Sequence, residues 1–146
     1  TAITQASTIT SGARMNLAVM ADGTPPFQYQ WYRNGSLIPG ANDPLLRLSN
    51  ADVADAGSYT VRISNGYGTT TSSGIPLTIV PLGLAMESPD TLRVTCAPNQ
   101  RVRVEVSSDL KTWAALVSQA VGPDGVLRAK TSVGTVSHAF YRVVLE

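Results

Sequence analysis

Short apolar runs alternating with polar residues recur along the whole chain, while the 3.6-residue rhythm of an amphipathic helix is nearly absent. Between the runs lie clusters of Gly, Pro, Asn and Asp, which interrupt strands and close turns. Leu17 and Val19 alternate on one run, Phe27, Tyr29 and Trp31 on the next, then Leu46 and Leu48, then Tyr59, Val61 and Ile63, then Leu77 and Ile79. Successive strand side chains point to opposite faces, so each set is predicted to line one face of a sheet. Asn34-Gly35 supplies two residues that tolerate positive φ, which predicts a tight hairpin after the Trp31 run, and Pro39-Gly40 marks another turn.

The second half repeats the pattern with Leu92, Val94 and Cys96, then Val102, Val104 and Val106, then Val126 with Leu127. A last run carries Phe140, Arg142 and Val144 on one face, and either face of it could be the buried one. Gly122-Pro123-Asp124-Gly125 has strong turn chemistry, and Ser108-Asp109-Leu110-Lys111 leads into a run carrying Trp113, whose alternation suggests burial. At Val80-Pro81-Leu82-Gly83 the alternation breaks, because proline cannot donate to a central ladder. The expectation is an all-β chain of two tandem small β-sandwiches, residues 1–80 and 81–146.

Composition sharpens this picture. At 43% hydrophobic and 14% charged, the chain has enough apolar surface to offset its chain entropy. Four basic and four acidic residues fall in 1–80 and the remaining seven and six in 81–146, for a net charge of +1. Neither half carries the basic footprint of a nucleic-acid partner. Membrane insertion is not expected, since no apolar run approaches the roughly 20 residues that span a bilayer. The chain opens on Thr1 without a basic or hydrophobic leader, so it is expected to be a piece of a larger protein with any secretion signal upstream. Cys96 is the single cysteine, which leaves no internal disulfide and suits a small buried hydrophobe.

Three stretches of the first half carry a resemblance: Leu17-Ala18-Val19, Trp31-Tyr32-Arg33-Asn34-Gly35, and Asp55-Ala56-Gly57-Ser58-Tyr59-Thr60-Val61. Together they resemble the immunoglobulin-like domains of the intermediate-set type common in bacterial extracellular proteins, over residues 3–80. The family's Asp-x-Gly-x-Tyr-x-Cys motif is present with Val61 in place of cysteine, and Val19 stands at the other cysteine position. The resemblance implies a core in which Trp31 is clamped between Val19, Val61 and Leu48, with an apolar contact in place of the usual bridge. Independently of the family, a tyrosine two residues before a central buried position can bury its ring and send its hydroxyl to a backbone carbonyl. Tyr59 is expected to do so, with Asp55 and Gly57 shaping the turn.

The second half looks like the small C-terminal β modules that end many large bacterial surface proteins, similar in architecture to fibronectin type III sandwiches. The likeness rests on the Ser-Ser-Asp-Leu-x-x-Trp strip from Ser107 to Trp113 and on Phe140-Tyr141-Arg142-Val143.

Candidate chemistry is sparse. His138 is the one side chain that could serve a nucleophile as base, and it sits in a stretch read as edge or turn. Asp52 and Asp55 lie in the turn already explained by the corner motif, so they make a poor glycosidase pair. Asp22, Asp43 and Asp124 lack the spacing of a calcium loop, and zinc ligands are missing. No catalytic residue, metal or cofactor is therefore expected. Asn34-Gly35-Ser36 matches a glycosylation acceptor, but the turn explains the same residues. Tyr32, pointing opposite Trp31, and Tyr67, in the loop Asn65-Gly66-Tyr67-Gly68, are the candidate binding surface.

The predicted function is that of a non-catalytic, monomeric pair of spacer and interaction modules in an extracellular or cell-surface bacterial protein, in surface display or adhesion. Its partners would be neighbouring domains of the same polypeptide and a protein or glycan surface ligand. The alternative is an accessory glycan-binding module of a carbohydrate-active enzyme.

Overall fold

The computed structural model describes residues 2–3, 7–131 and 139–146, and the chain is all-β. Its strands are β1 (Ala2–Ile3), β2 (Ser7–Thr10), β3 (Met15–Met20), β4 (Gln28–Arg33), β5 (Ser36–Leu37), β6 (Leu45–Leu48), β7 (Gly57–Asn65), β8 (Gly68–Thr71), β9 (Ile75–Val80), β10 (Gly83–Ser88), β11 (Thr91–Thr95), β12 (Arg101–Ser107), β13 (Ala114–Ala120), β14 (Val126–Lys130) and β15 (Phe140–Leu145). One 3₁₀ turn, Val53–Asp55, precedes β7. The chain divides into two compact units, one of Thr1–Thr8 with Ala13–Ile79, the other of Ile9–Gly12 with Val80–Glu146.

In the first unit one sheet runs β1-β3-β6 and the other β2-β9-β7-β4-β5, with β8 paired to β7. Between them lies an apolar interior: Leu17 and Val19 from β3, Leu46 from β6, Trp31 from β4, Tyr59, Val61 and Ile63 from β7, and Ile75, Leu77 and Ile79 from β9 are all buried. Each such aliphatic side chain contributes about 1.5 to 3 kcal/mol. Trp31 sits directly across from Val61 in the β4–β7 ladder, and its indole Nε1 donates to the Asp43 carbonyl at 2.9 Å.

Leu48, expected beside Trp31, is only half-buried, because it pairs with Met15 at the end of the β3–β6 ladder. Leu46, across from the fully buried Leu17, takes the interior place. Phe27 and Tyr29, expected to share the face of Trp31, are half-buried as well, with rings edge to face at 6.5 Å.

In the second unit β10-β11-β14 and β13-β12-β15 form two sheets around one core of Leu92, Val94, Cys96, Val102, Val104, Val121, Leu127 and Ala129. The face of β15 turned to that core is Tyr141, Val143 and Leu145, which leaves Phe140 40% exposed. Two expectations change here. Val106 lies outside the core cluster and is only half-buried, although β12 keeps an unbroken register with β15; the irregularity between Val104 and Glu105 falls on β13, where Leu116 is the extra residue, and Glu105 and Ser107 are buried on the opposite face of β12. In β14 it is Leu127 that is buried, with Val126 partly exposed. Residues 9–12 cluster with this unit: Thr10 is fully buried, and its hydroxyl accepts the Ala97 N–H at 2.9 Å.

Candidate functional site

The corner before β7 is built from short-range chemistry. Asp52 caps the 3₁₀ turn by accepting the Ala54 N–H at 2.9 Å, while Asp55 Oδ2 accepts the Asp52 N–H at 3.0 Å. The other Asp55 oxygen accepts from Arg33 Nη1 at 2.7 Å, so neither carboxylate is left to act as a paired acid and base. The Tyr59 hydroxyl donates to the Asp55 carbonyl at 2.6 Å, and burial pushes its phenol above the ordinary range. Asn34 and Gly35, with φ of 50° and 80°, join β4 to β5 in a two-residue hairpin. The exposed Asn34 side chain reaches to β7, its Oδ1 accepting the Ser58 N–H at 2.8 Å.

Tyr32 and Tyr67 line two neighbouring grooves that share Phe27 and Ser64 but not each other. Tyr67 is 86% exposed at the tip of the β7–β8 hairpin, where Asn65 Oδ1 accepts the Tyr67 and Gly68 N–H groups at 3.0 and 3.1 Å. Its groove holds about 270 Å³. Tyr32 borders a larger open groove of about 660 Å³ over the outer face of β4 and β7, with Gln28, Gln30, Asn42 and Arg62. Gln30 is pinned there, its Nε2 donating to the Trp31 and Ile38 carbonyls at 3.0 and 2.9 Å.

Sequence reasoning named Tyr32 but passed over its companions. Gln28 and Gln30 share its parity on β4 and could have been named with it; Arg62 joins them only once the register sets it across from Gln30.

In the second unit Trp113 is half-buried, not enclosed, and lines a groove of about 320 Å³ with Val106, Ser107 and Thr112. Arg142 lies over its ring at 4.2 Å and donates through Nε to Glu105 Oε2 at 2.6 Å. Arg103 Nε stands 2.9 Å from the other Glu105 oxygen, as an ion pair whose angle makes no hydrogen bond. In the Ser107–Trp113 strip, Asp109 accepts the Lys111 and Thr112 N–H groups at 2.8 Å each, which holds its carboxyl down to about 2. Burial pushes the Cys96 thiol up, the opposite of what a reactive thiolate needs. His138 lies outside the described residues. Among the described residues no group of three His, Cys, Asp or Glu side chains converges as a metal site would require, and no helix is long and apolar enough to cross a membrane.

Two antiparallel sheets packed over one core, with the Tyr59 corner leading into β7, give the first unit the architecture of an immunoglobulin-like sandwich. The family model described as immunoglobulin domain matches residues 1–65. The chain is 33% identical over 97 residues to the mouse (Mus musculus) basement membrane-specific heparan sulfate proteoglycan core protein, covering 58% of this chain and 2% of that protein. It is 36% identical over 64 residues to the decoration protein of Escherichia phage T5, covering 43% of this chain and 39% of that protein. The chain thus spans well under half of either relative. Among solved structures, Sidekick-1 immunoglobulin domains 1-5 matches with a TM-score of 0.53 at 15% identity, covering 99% of this chain and 33% of that one. At that identity the likeness is one of fold alone.

Proposed function

We propose that the chain is a non-catalytic pair of spacer and interaction modules in a multidomain extracellular protein of bacterial type, acting in surface display or adhesion and folding as two separate domains. The observation that carries the reading is where the side chains go. The alternating apolar residues of each unit are consumed by its own core, and the concavities that remain are open grooves bordered by exposed side chains. Such a body orients neighbouring domains and offers surface contacts rather than an enclosed reaction site. The resemblance of both halves to modules of bacterial surface proteins supports the bacterial setting.

A second reading, an accessory glycan-binding module, is favoured by one feature, the amide- and tyrosine-lined groove beside Tyr32. A glycan array probed with the purified chain and its Tyr32→Ala and Tyr67→Ala variants separates the two. Binding that disappears in those variants favours the accessory module and displaces the spacer; an array without binding leaves the spacer standing.

A further inference from the structure

Arg62 lies on the outer face of β7, across from Gln30, with its side chain exposed beside the Tyr32 groove. Among the described residues it forms no ion pair, a state it shares with Arg14, Arg47, Arg93 and Lys111, while seven carboxylate pairings occupy the other six basic side chains. No carboxylate lines the groove; the polar groups around Arg62 are the neutral amides of Gln28, Gln30 and Asn42, the phenols of Tyr29 and Tyr32 and the hydroxyl of Ser64. A single unpaired guanidinium among neutral hydrogen-bonding groups is a fork suited to one carboxylate, set where donors and acceptors can meet hydroxyls. The tyrosine ring adds an apolar edge for the face of a sugar. At about 660 Å³ the groove has the size of a small-ligand site.

We infer that this groove takes a carboxylated glycan, a saccharide bearing uronate groups, with Arg62 pairing the sugar carboxylate and Tyr32 against the ring. The inference rests on the glycan-binding reading above and names the sugar class it selects. An acidic peptide fits less well. Strand addition needs a free backbone edge, and β4 is engaged on both sides: it pairs with β7 along its length and with β5 at Tyr32 and Arg33, while Trp31 exchanges hydrogen bonds with Ile38 and Ala41. One cation is also too few for a nucleic-acid backbone.

The test is titration calorimetry of the whole chain with trigalacturonate and, as its neutral counterpart, maltotriose. Binding of trigalacturonate at least tenfold tighter than of maltotriose, weakened roughly tenfold by Arg62→Gln, partly kept by Arg62→Lys and reduced by added salt, is the expected result. Circular dichroism checks that the variants remain folded, as an exposed position should allow. Equal binding of the two saccharides, unchanged in Arg62→Gln, overturns the carboxylate preference and leaves glycan binding intact. No binding of either saccharide overturns the uronate assignment, with the glycan array deciding separately whether the glycan-binding reading survives, and tighter binding of an oligoglutamate peptide overturns it in favour of protein ligands.

Discussion

The carboxamide of Asn34 stands where a β-carbon on Gly57 would have to go: an ideal Cβ there meets Asn34 Nδ2 and Oδ1 at 2.6 Å and Cγ at 2.9 Å. Gly57 also has a φ of +153°, a conformation L side chains rarely adopt. The hairpin turn is thereby docked on the corner, with Asn34 and Ser58 exchanging both a backbone bond and a side-chain bond at 2.8 Å. Gly57→Ala is expected to cost about 2 to 3 kcal/mol, from backbone strain and from displacing Asn34. In urea denaturation, the cost of Gly57→Ala should shrink when measured in an Asn34→Gly background. Simple additivity of the two would mean that they do not touch.

Trp31 fills the centre of the first unit with none of its surface exposed. Trp31→Ala should cost about 3 to 5 kcal/mol, the usual loss for a large buried aromatic. Trp31→Phe keeps most of the volume but leaves the Asp43 carbonyl without its 2.9 Å donor, so a smaller loss of about 1 to 2 kcal/mol is expected. An unchanged denaturation midpoint for Trp31→Ala would contradict the β4 register.

Tyr59→Phe removes the 2.6 Å bond to the Asp55 carbonyl and should cost about 1 kcal/mol near neutral pH. The pH dependence has a definite sign. Burial raises the native phenol above its ordinary value of 10.0, so between that value and the native one the unfolded chain gives up this proton first. Fewer protons on the unfolded state mean stability that falls with rising pH. The contribution is complete below pH 10 and lost as pH climbs through the raised native value. Alkaline denaturation curves of wild type and Tyr59→Phe should therefore converge, and parallel curves would show that Tyr59 does not carry the effect.

Asp109 gives the opposite case at the other end of the scale. Its carboxyl is held at about 2 by the Thr112 and Lys111 amides, so its share of stability is present above the ordinary 3.8 and fades as pH drops through 2. A carbonyl-carbon NMR titration should find the Asp109 midpoint well below that of a free aspartate. Asp109→Asn should loosen the loop near neutral pH and make no difference at the acid extreme.

Local chemistry made much of the first unit legible. The Asp55–Tyr59 corner is built from residues within four positions of one another, and Asn34-Gly35 needs only its own backbone preferences. What the sequence concealed depends on long-range pairing. Val102 to Val106 alternates without a flaw on paper and in the β12–β15 register, yet Val106 is only half-buried while on the opposite face of β12 a carboxylate, Glu105, is buried. That is tolerable because Arg103 and Arg142 arrive from its own and the adjoining strand. Thr10 belongs to the second unit's cluster through a partner 87 positions away, which no periodicity signals. The Tyr32 groove was half legible for the same reason: the β4 parity names its amides, and only the β4–β7 register adds Arg62.

The Glu105–Arg142–Trp113 stack yields the last prediction. Glu105 is 7% exposed and holds Arg142 at 2.6 Å, while that guanidinium covers the Trp113 ring at 4.2 Å. Arg142→Ala removes both contacts. A charged hydrogen bond contributes about 1.5 to 3 kcal/mol and an exposed cation–π pair about 0.5 to 1. With the Arg142 side chain 50% exposed, water screens both, so a total near the lower end, about 2 kcal/mol, is expected. Arg142→Lys keeps the charge but not the planar fork or the stacking, and should lose about half as much. Tryptophan emission offers an independent reading. Trp31 is fully buried and silent to this change, so a shift to longer wavelength in folded Arg142→Ala must come from Trp113 losing its cover. If the emission stays put while stability falls, Glu105 alone carries the effect and the ring is a bystander.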